Sequence, residues 1–114
     1  MEEFSTRQNK ISRLIQKELA DYFQKVSRDH FRGKLLSVTT VRVTRDLGIA
    51  RIYLSIFPTE GTQDILNQIK LMTRQIRGDL GKRVGKQIRK IPELEFYLDD
   101  SLDYIDNIDN LLNK

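Results

Sequence analysis

Residues 35–58 read LLSVTTVRVTRDLGIARIYLSIFP. Within this stretch Leu35 to Arg45 is rich in β-branched residues. In the second half Ala50, Ile52, Leu54 and Ile56 alternate with Arg51, Tyr53 and Ser55. Period two over this length is the mark of a strand with one buried face. The first run slips phase: Leu36 and Val38 sit at even positions, Val41 and Val43 at odd ones. One extra residue near Thr39-Thr40 would bring both halves onto one face, so a β-bulge is expected there. Asp46-Leu47-Gly48 is turn chemistry, with Gly48 suited to positive φ. Pro58 ends the second strand. The stretch therefore predicts an antiparallel hairpin.

Upstream, residues 6–27 predict an amphipathic helix. Ile11, Leu14, Ile15, Leu19, Tyr22, Phe23 and Val26 recur at spacings of three and four. Ser5 or Thr6 can cap it, and Ser5-x-x-Gln8 has the form of a capping box. Ser27 to Lys34 reads as a loop that ends around Gly33. Downstream, Thr62 can cap a helix carrying Ile65, Leu66, Ile69 and Met72. A second helix follows almost without a break and runs to Ile91-Pro92, where proline disfavours helix in the preceding residue. One straight rod from 62 to 90 is too long for a chain of this size, so a bend is expected within residues 72–78. Leu94, Phe96 and Leu98 alternate as a third strand. Ser101 then caps an acidic helix with Leu102, Ile105, Ile108, Leu111 and Leu112 inward. The order is α-β-β-α-α-β with a short C-terminal helix: an α+β fold with helices packed on a three-stranded sheet.

The 114 residues fit a single domain, 1–114, of which 91–114 would supply the last strand and the acidic helix. There is no cysteine, which excludes disulfides and thiolate metal sites and fits a reducing compartment. No apolar run approaches the ~20 residues that span a bilayer, and Met1-Glu2-Glu3-Phe4 lacks the order of a secretory signal. A cytoplasmic protein without a membrane partner is the expectation.

Charge is unevenly laid out. Arg74, Arg77, Lys82, Arg83, Lys86, Arg89 and Lys90 face one acid, Asp79, a local charge of +6 in a chain whose total is +4. Residues 91–114 carry Glu93, Glu95, Asp99, Asp100, Asp103, Asp106 and Asp109 against Lys114, a charge of −6. Wound at 100° per residue, the middle segment puts Ile76, Leu80, Val84 and Ile88 on one stripe and most of its cations opposite. Exposed helices ordinarily interleave both signs and gain from i, i+4 pairs, so a nearly all-cationic face points to a polyanion. The same segment lacks aromatic side chains for base stacking, which favours phosphate and sugar contacts. A membrane surface would need apolar residues free to insert, and here the core uses them. The site residues expected to meet phosphates are Arg77, Lys82, Arg83, Lys86, Arg89 and Lys90. Arg7, Lys10 and Arg13 of the first helix extend the patch, and Arg45 and Arg51 are weaker candidates. Gly78, Gly81 and Gly85 form one line beside the apolar stripe. Close packing against the first helix is the favoured reason, close approach of a phosphate backbone the alternative.

Little supports catalysis. The single histidine, His30, sits in a loop sequence with no nucleophile, phosphate-loop or zinc pattern around it. The aspartates at 99–109 lack the spacing and glycine of a calcium loop and read as a solvated helix face. No catalytic residue, metal site or cofactor is expected.

Four pieces in order resemble the ribosome-binding factor A family over about residues 7–112. They are Arg7-Gln8-Asn9-Lys10-Ile11; Thr44-Arg45-Asp46-Leu47 with Ala50-Arg51-Ile52-Tyr53-Leu54-Ser55; Ile76-Arg77 with Leu80-Gly81-Lys82-Arg83; and Ile91-Pro92-Glu93-Leu94-Glu95-Phe96 closed by Asp99-Asp100-Ser101. The resemblance implies a KH-like domain of the second type. It implies noncatalytic binding to free or immature small ribosomal subunits and a role in late maturation of their RNA, including its 5′ end, with a link to growth in the cold. Implied partners are the small subunit, through its RNA and proteins, and a release GTPase; a monomer is implied. A different class of function is a protein-interaction module that uses the acidic C-terminal segment. Two departures from the family pattern bear on geometry. The family bends between its second and third helices at Ala-x-Gly, and Met72-Thr73-Arg74 stands there. The stretch before Pro92 is two residues longer, near Val84 to Ile88, which would lengthen the basic helix or shift its phase.

Overall fold

A computed structural model describes residues 6–31 and 33–99. Its elements are α1 (Thr6–His30), β1 (Leu35–Val43), β2 (Ile49–Phe57), α2 (Thr62–Leu71), α3 (Thr73–Val84) and β3 (Glu93–Leu98). The sheet order is β1-β2-β3, with β1 antiparallel and β3 parallel to β2. Ser5, Asp100 and the acidic helix expected from Ser101 onward lie outside the described residues.

The hairpin forms as its periodicity predicts. Ala50, Ile52, Leu54 and Ile56 are all buried on one face. The register shifts between Val38 and Thr40, so the bulge lies where the phase of β1 slips. Gln16 of α1 reaches over and donates from Nε2 to the carbonyls of Val38 and Thr39, at 3.4 and 3.3 Å. It thereby supplies donors where the ladder is interrupted. The turn differs in one respect. Positive φ falls on Leu47 (61°), not on Gly48. Leu47 is half-buried against the core, and the carboxylate of Asp46 accepts from Thr44 Oγ1 (2.7 Å) and from the Gly48 amide (3.0 Å). A Cβ on residue 48 would stand 3.2 Å from that carboxylate. Glycine at 48 therefore serves close approach of the Asp46 carboxylate rather than φ.

All three helices pack on one face of the sheet. Ile15, Leu19 and Phe23 of α1, Ile69 of α2 and Ile76, Leu80 and Val84 of α3 meet Ile52, Leu54 and Phe96 in one core. Phe23 and Phe96 pack edge to face, with ring centroids 5.9 Å apart. Each fully buried aliphatic side chain contributes about 1.5–3 kcal/mol, so the core carries most of the stability.

Several element ends depart from expectation. α1 continues three residues past Ser27, whose hydroxyl donates to the Lys34 carbonyl and ties the helix end to β1. Gly33, at φ 81°, then turns the chain. β1 ends at Val43 rather than Arg45. Gln8, read as half of a capping box, is buried and donates from Nε2 to the Val43 carbonyl at 3.0 Å. Gly61 in a left-handed conformation, not Thr62, occupies the N-cap of α2. The bend between α2 and α3 falls at Met72, inside the expected window and without glycine.

The largest correction concerns the basic helix. α3 stops at Val84, and Gly85, Lys86 and Gln87 form a turn. Residues 85–92 thus build a connection instead of lengthening the helix. Ile88 still reaches the core, but from this connection and not as a fourth step of the helical stripe. The glycine line does not pack on α1 either. A Cβ at Gly78 would meet nothing within 4 Å, one at Gly81 would touch Ile91, and one at Gly85 would lie 2.7 Å from the Gly81 carbonyl oxygen.

Candidate nucleic-acid interface

Where α3 gives way to the 85–92 connection, three distant parts of the chain converge. Arg7 and Lys10 come from the first turns of α1, Arg45 from the hairpin turn, and Arg89 and Lys90 from the connection. They line one cleft of about 690 Å³, floored by Ile11, Leu47 and Ile88. Among the described residues none of these five cations makes a salt bridge. Among the described residues the single acid in the cleft, Asp46, is taken up by Thr44 and Gly48. The Thr44 hydroxyl, the Gly48 amide and, more weakly, the charge of Lys90 hold its carboxyl below the usual range. The first turn of α1 carries no acid, so the positive end of the helix dipole adds to the field.

Each segment is anchored beside the cation it presents. Gln8, between Arg7 and Lys10, ties α1 to the end of β1. The Asp46 knot shapes the turn that bears Arg45, and the Glu93 amide donates to the Gly48 carbonyl (2.9 Å), joining that turn to the start of β3. A second cleft of about 810 Å³ lies on the far side of Arg89 and Lys90, which line both. Arg74 and Arg77 of α3 and Glu93 border it, and Gly78 and Gly81 leave its wall free of side chains. The two clefts make one cationic band with Arg89 and Lys90 as its ridge.

The residues singled out from sequence divide into three groups. Arg7, Lys10, Arg89 and Lys90 come together, joined by Arg45 and by Arg74, which was not singled out. Lys82, Lys86 and Arg13 are exposed but line neither cleft. Arg77, though exposed and bordering the second cleft, is engaged within the fold, as is Arg83. Arg77 donates from Nε to the Pro92 carbonyl (3.0 Å) and from Nη2 to that of Ile91 (2.6 Å). Arg83 lies 2.8 Å from Asp21 and 3.5 Å from Glu18, and its guanidinium sits 5.6 Å from the Tyr22 ring centroid. Tyr22 in turn donates to Asp79 at 2.7 Å, which gives the lone acid of the basic segment a structural task. Burial and that hydrogen bond push the Tyr22 hydroxyl up to about 12. The Arg83 hydrogen bond, with Lys25 second, lowers the Asp21 carboxyl. Arg51 lies 3.4 Å from Glu95. By strand alternation both are on the sheet face opposite the helices.

Among the described residues no aromatic side chain lines either cleft. The stacked pair Tyr53 and Tyr97, 5.4 Å between centroids, belongs to that opposite sheet face as well. Among the described residues no cluster of three or more His, Cys, Asp or Glu could hold a metal ion. No helix among them is long and apolar enough to cross a membrane. His30 ends α1, exposed, beside Phe31.

Comparison with known proteins bears on family and fold. Residues 7–112 match the family model described as ribosome-binding factor A. Ribosome-binding factor A of Cytophaga hutchinsonii is 48% identical over 110 residues, covering 96% of this chain and 83% of that protein. The Flavobacterium psychrophilum protein of the same name is 49% identical over 109 residues, 95% of this chain and 84% of its own. The crystal structure of ribosome-binding factor A from Thermus thermophilus superimposes with a TM-score of 0.66 at 24% identity, covering 80% of this chain and 94% of that one. A T. thermophilus ribosome binding factor A homology model, fitted into a cryo-EM map of a 30S–RbfA complex, gives 0.60 at 23%, covering 86% and 97%. These two likenesses bear on fold, and the fold is the KH-like one, with β3 parallel to β2 and helices on one side. With the family model spanning nearly the whole chain and relatives close to half identical, this protein belongs to the ribosome-binding factor A family.

Proposed function

We propose that this protein is a noncatalytic assembly factor that binds free or immature small ribosomal subunits and aids late maturation of their RNA, including its 5′ end. The observation that carries the proposal is the cleft. Arg7, Lys10, Arg45, Arg89 and Lys90 converge there from positions up to 83 residues apart, and the one acid among the described lining residues is already hydrogen-bonded. Held there without a partner, five cations repel one another; a phosphate track removes that cost and releases counterions. The smooth, non-aromatic walls suit the backbone of a folded RNA rather than splayed bases. Family membership and the 30S–RbfA complex of a relative support the small subunit as the source of that RNA.

In this reading Arg7, Lys10, Arg45, Arg89 and Lys90 are the phosphate contacts, and Arg74 extends the track into the second cleft. Lys82, Lys86 and Arg13 add long-range attraction without defined contacts. The protein acts by preference: it binds one arrangement of the maturing RNA better than others and shifts the population toward it. It works as a monomer in the cytoplasm, and a GTPase releases it from the finished subunit.

The test is cosedimentation of the full chain with purified small subunits. Lys10→Glu/Arg89→Glu/Lys90→Glu should abolish it while the circular dichroism spectrum stays unchanged. Arg13→Glu/Lys82→Glu/Lys86→Glu, also three charges reversed but outside the clefts, should weaken it only modestly. Equal losses from both sets, or none from the first, would remove the cleft as the interface.

A further inference from the structure

The connection from Gly85 to Pro92 carries the ridge of the cationic band, yet has no regular secondary structure of its own. Something must keep Arg89 and Lys90 at the junction of the two clefts. Three contacts do so. Ile88 is packed against the core. Ile91 lies over Gly81, where an added Cβ would stand 3.5 Å from its side chain, an ordinary contact. The guanidinium of Arg77 spans two successive carbonyls, Ile91 and Pro92, directly after the two cations. Pro92 is itself fully buried, so the far end of this clamp is rigid.

From this geometry we infer that Arg77 is a positioning residue: its planar fork fixes the backbone that presents Arg89 and Lys90, and the RNA phosphates are met by those two side chains, not by Arg77. The inference deepens the reading of the cleft given above and rests on it. The side-on edge of the Arg77 guanidinium, Nε with Nη2, is taken by two main-chain oxygens, so only its outer Nη edge is left for any other contact. Lysine has the charge but not the fork, so charge and clamp can be separated by substitution.

Affinity of the full chain for purified small subunits, measured over a series of salt concentrations, provides the test. Variants are Arg77→Gln, Arg77→Lys, Arg89→Ala/Lys90→Ala and the combination of the first with the last. Loss of two phosphate contacts lowers the slope of log K against log salt by about 1.4–1.8 and affinity by about 25–60-fold at 0.1 M salt. Arg89→Ala/Lys90→Ala should show that loss. Arg77→Gln and Arg77→Lys should each show most of it. Adding Arg77→Gln to the double variant should cost less than about twofold, because the cations it positions are gone. A direct phosphate role for Arg77 predicts the opposite pattern: Arg77→Lys near wild type, and the same loss from Arg77→Gln in both backgrounds. Either result overturns the inference. Hydrogen exchange provides a readout independent of RNA. The amides of Gln87 and Ile88 bond to the Val84 carbonyl, and Arg77→Gln should speed exchange across residues 87–90 while leaving β2 protected. Unchanged exchange would refute the clamp even if the cleft reading holds. Full binding by Arg89→Ala/Lys90→Ala together with faster exchange in Arg77→Gln would keep the clamp but refute its role in presenting ligands.

Discussion

Arg83→Ala removes a guanidinium that lies 2.8 Å from Asp21, 3.5 Å from Glu18 and 5.6 Å from the Tyr22 ring centroid. From the sequence Arg83 is one more cation of a binding face; in the fold it joins α3 to α1. The side chain is 25% exposed, so its interactions are partly shielded from water, while Asp21 stands open to solvent and is screened. Counting the Glu18 pair and the ring contact, the loss amounts to about 1–2 kcal/mol. At 4–8 °C per kcal/mol for a domain of roughly this size, that is a fall in Tm of about 4–15 °C. Calorimetry of the full chain would measure it. Small-subunit binding at a temperature where both proteins are folded should stay within about twofold of wild type, since a cation away from the clefts gives up attraction but no phosphate contact. The stability deficit should narrow in high salt as the wild type loses its own ionic contribution. Lys82→Ala, one residue away and exposed, should leave Tm unchanged. An Arg83→Ala protein with wild-type Tm and lost subunit binding would refute the assignment of Arg83 as a strut.

Three further outcomes follow from the same structure. The Tyr22 hydroxyl, raised to about 12 from an ordinary value near 10, stays protonated in the folded state after it ionises in the unfolded one. Its contribution to stability is therefore complete below about pH 10 and is lost as pH rises from 10 to 12; Tyr22→Phe should flatten that limb of a stability–pH curve obtained by urea titration. Gln8→Ala strands the buried Val43 carbonyl and should cost about 1–3 kcal/mol in denaturant unfolding, with weaker subunit binding because Arg7 and Lys10 lose their anchor. Two glycine substitutions should have opposite signs in thermal melts. Gly78→Ala meets open space and gains about 0.5–1 kcal/mol of helix propensity, while Gly85→Ala drives a Cβ against the Gly81 carbonyl and should destabilise by about 1–3 kcal/mol.

Much of this architecture is legible in local pattern. The inner face of β2, the bulge in β1, the bend before α3 and the alternation of β3 each reflect periodicity over a few residues, and burial of one face is what periodicity records. Element ends are less legible. Nothing local distinguishes Ile88 as a fourth step on the α3 stripe from Ile88 as a residue of a connection, because it is apolar in both. The helix ends at Val84 because the chain must return to pair Glu93 with Gly48 and Ile49. Likewise Gln8 matches a capping pattern, but the Val43 carbonyl that holds it lies 35 residues away.

The sequence by itself determined that an α+β domain with unevenly distributed charge was present, since helix and strand periods and an imbalance of charge are properties of neighbours along the chain. Only the tertiary structure decided which cations act together. The angle and offset at which α3 crosses α1, set by the summed packing of Phe23, Ile76, Leu80 and Val84, places Arg83 against Glu18 and Asp21 and withdraws it from any ligand. The same packing gathers Arg7, Arg45 and Lys90 around one cleft. Electrostatic partnership falls off with distance in space, and distance in space between residues 7, 45 and 90 is fixed by the core, not by their order in the chain.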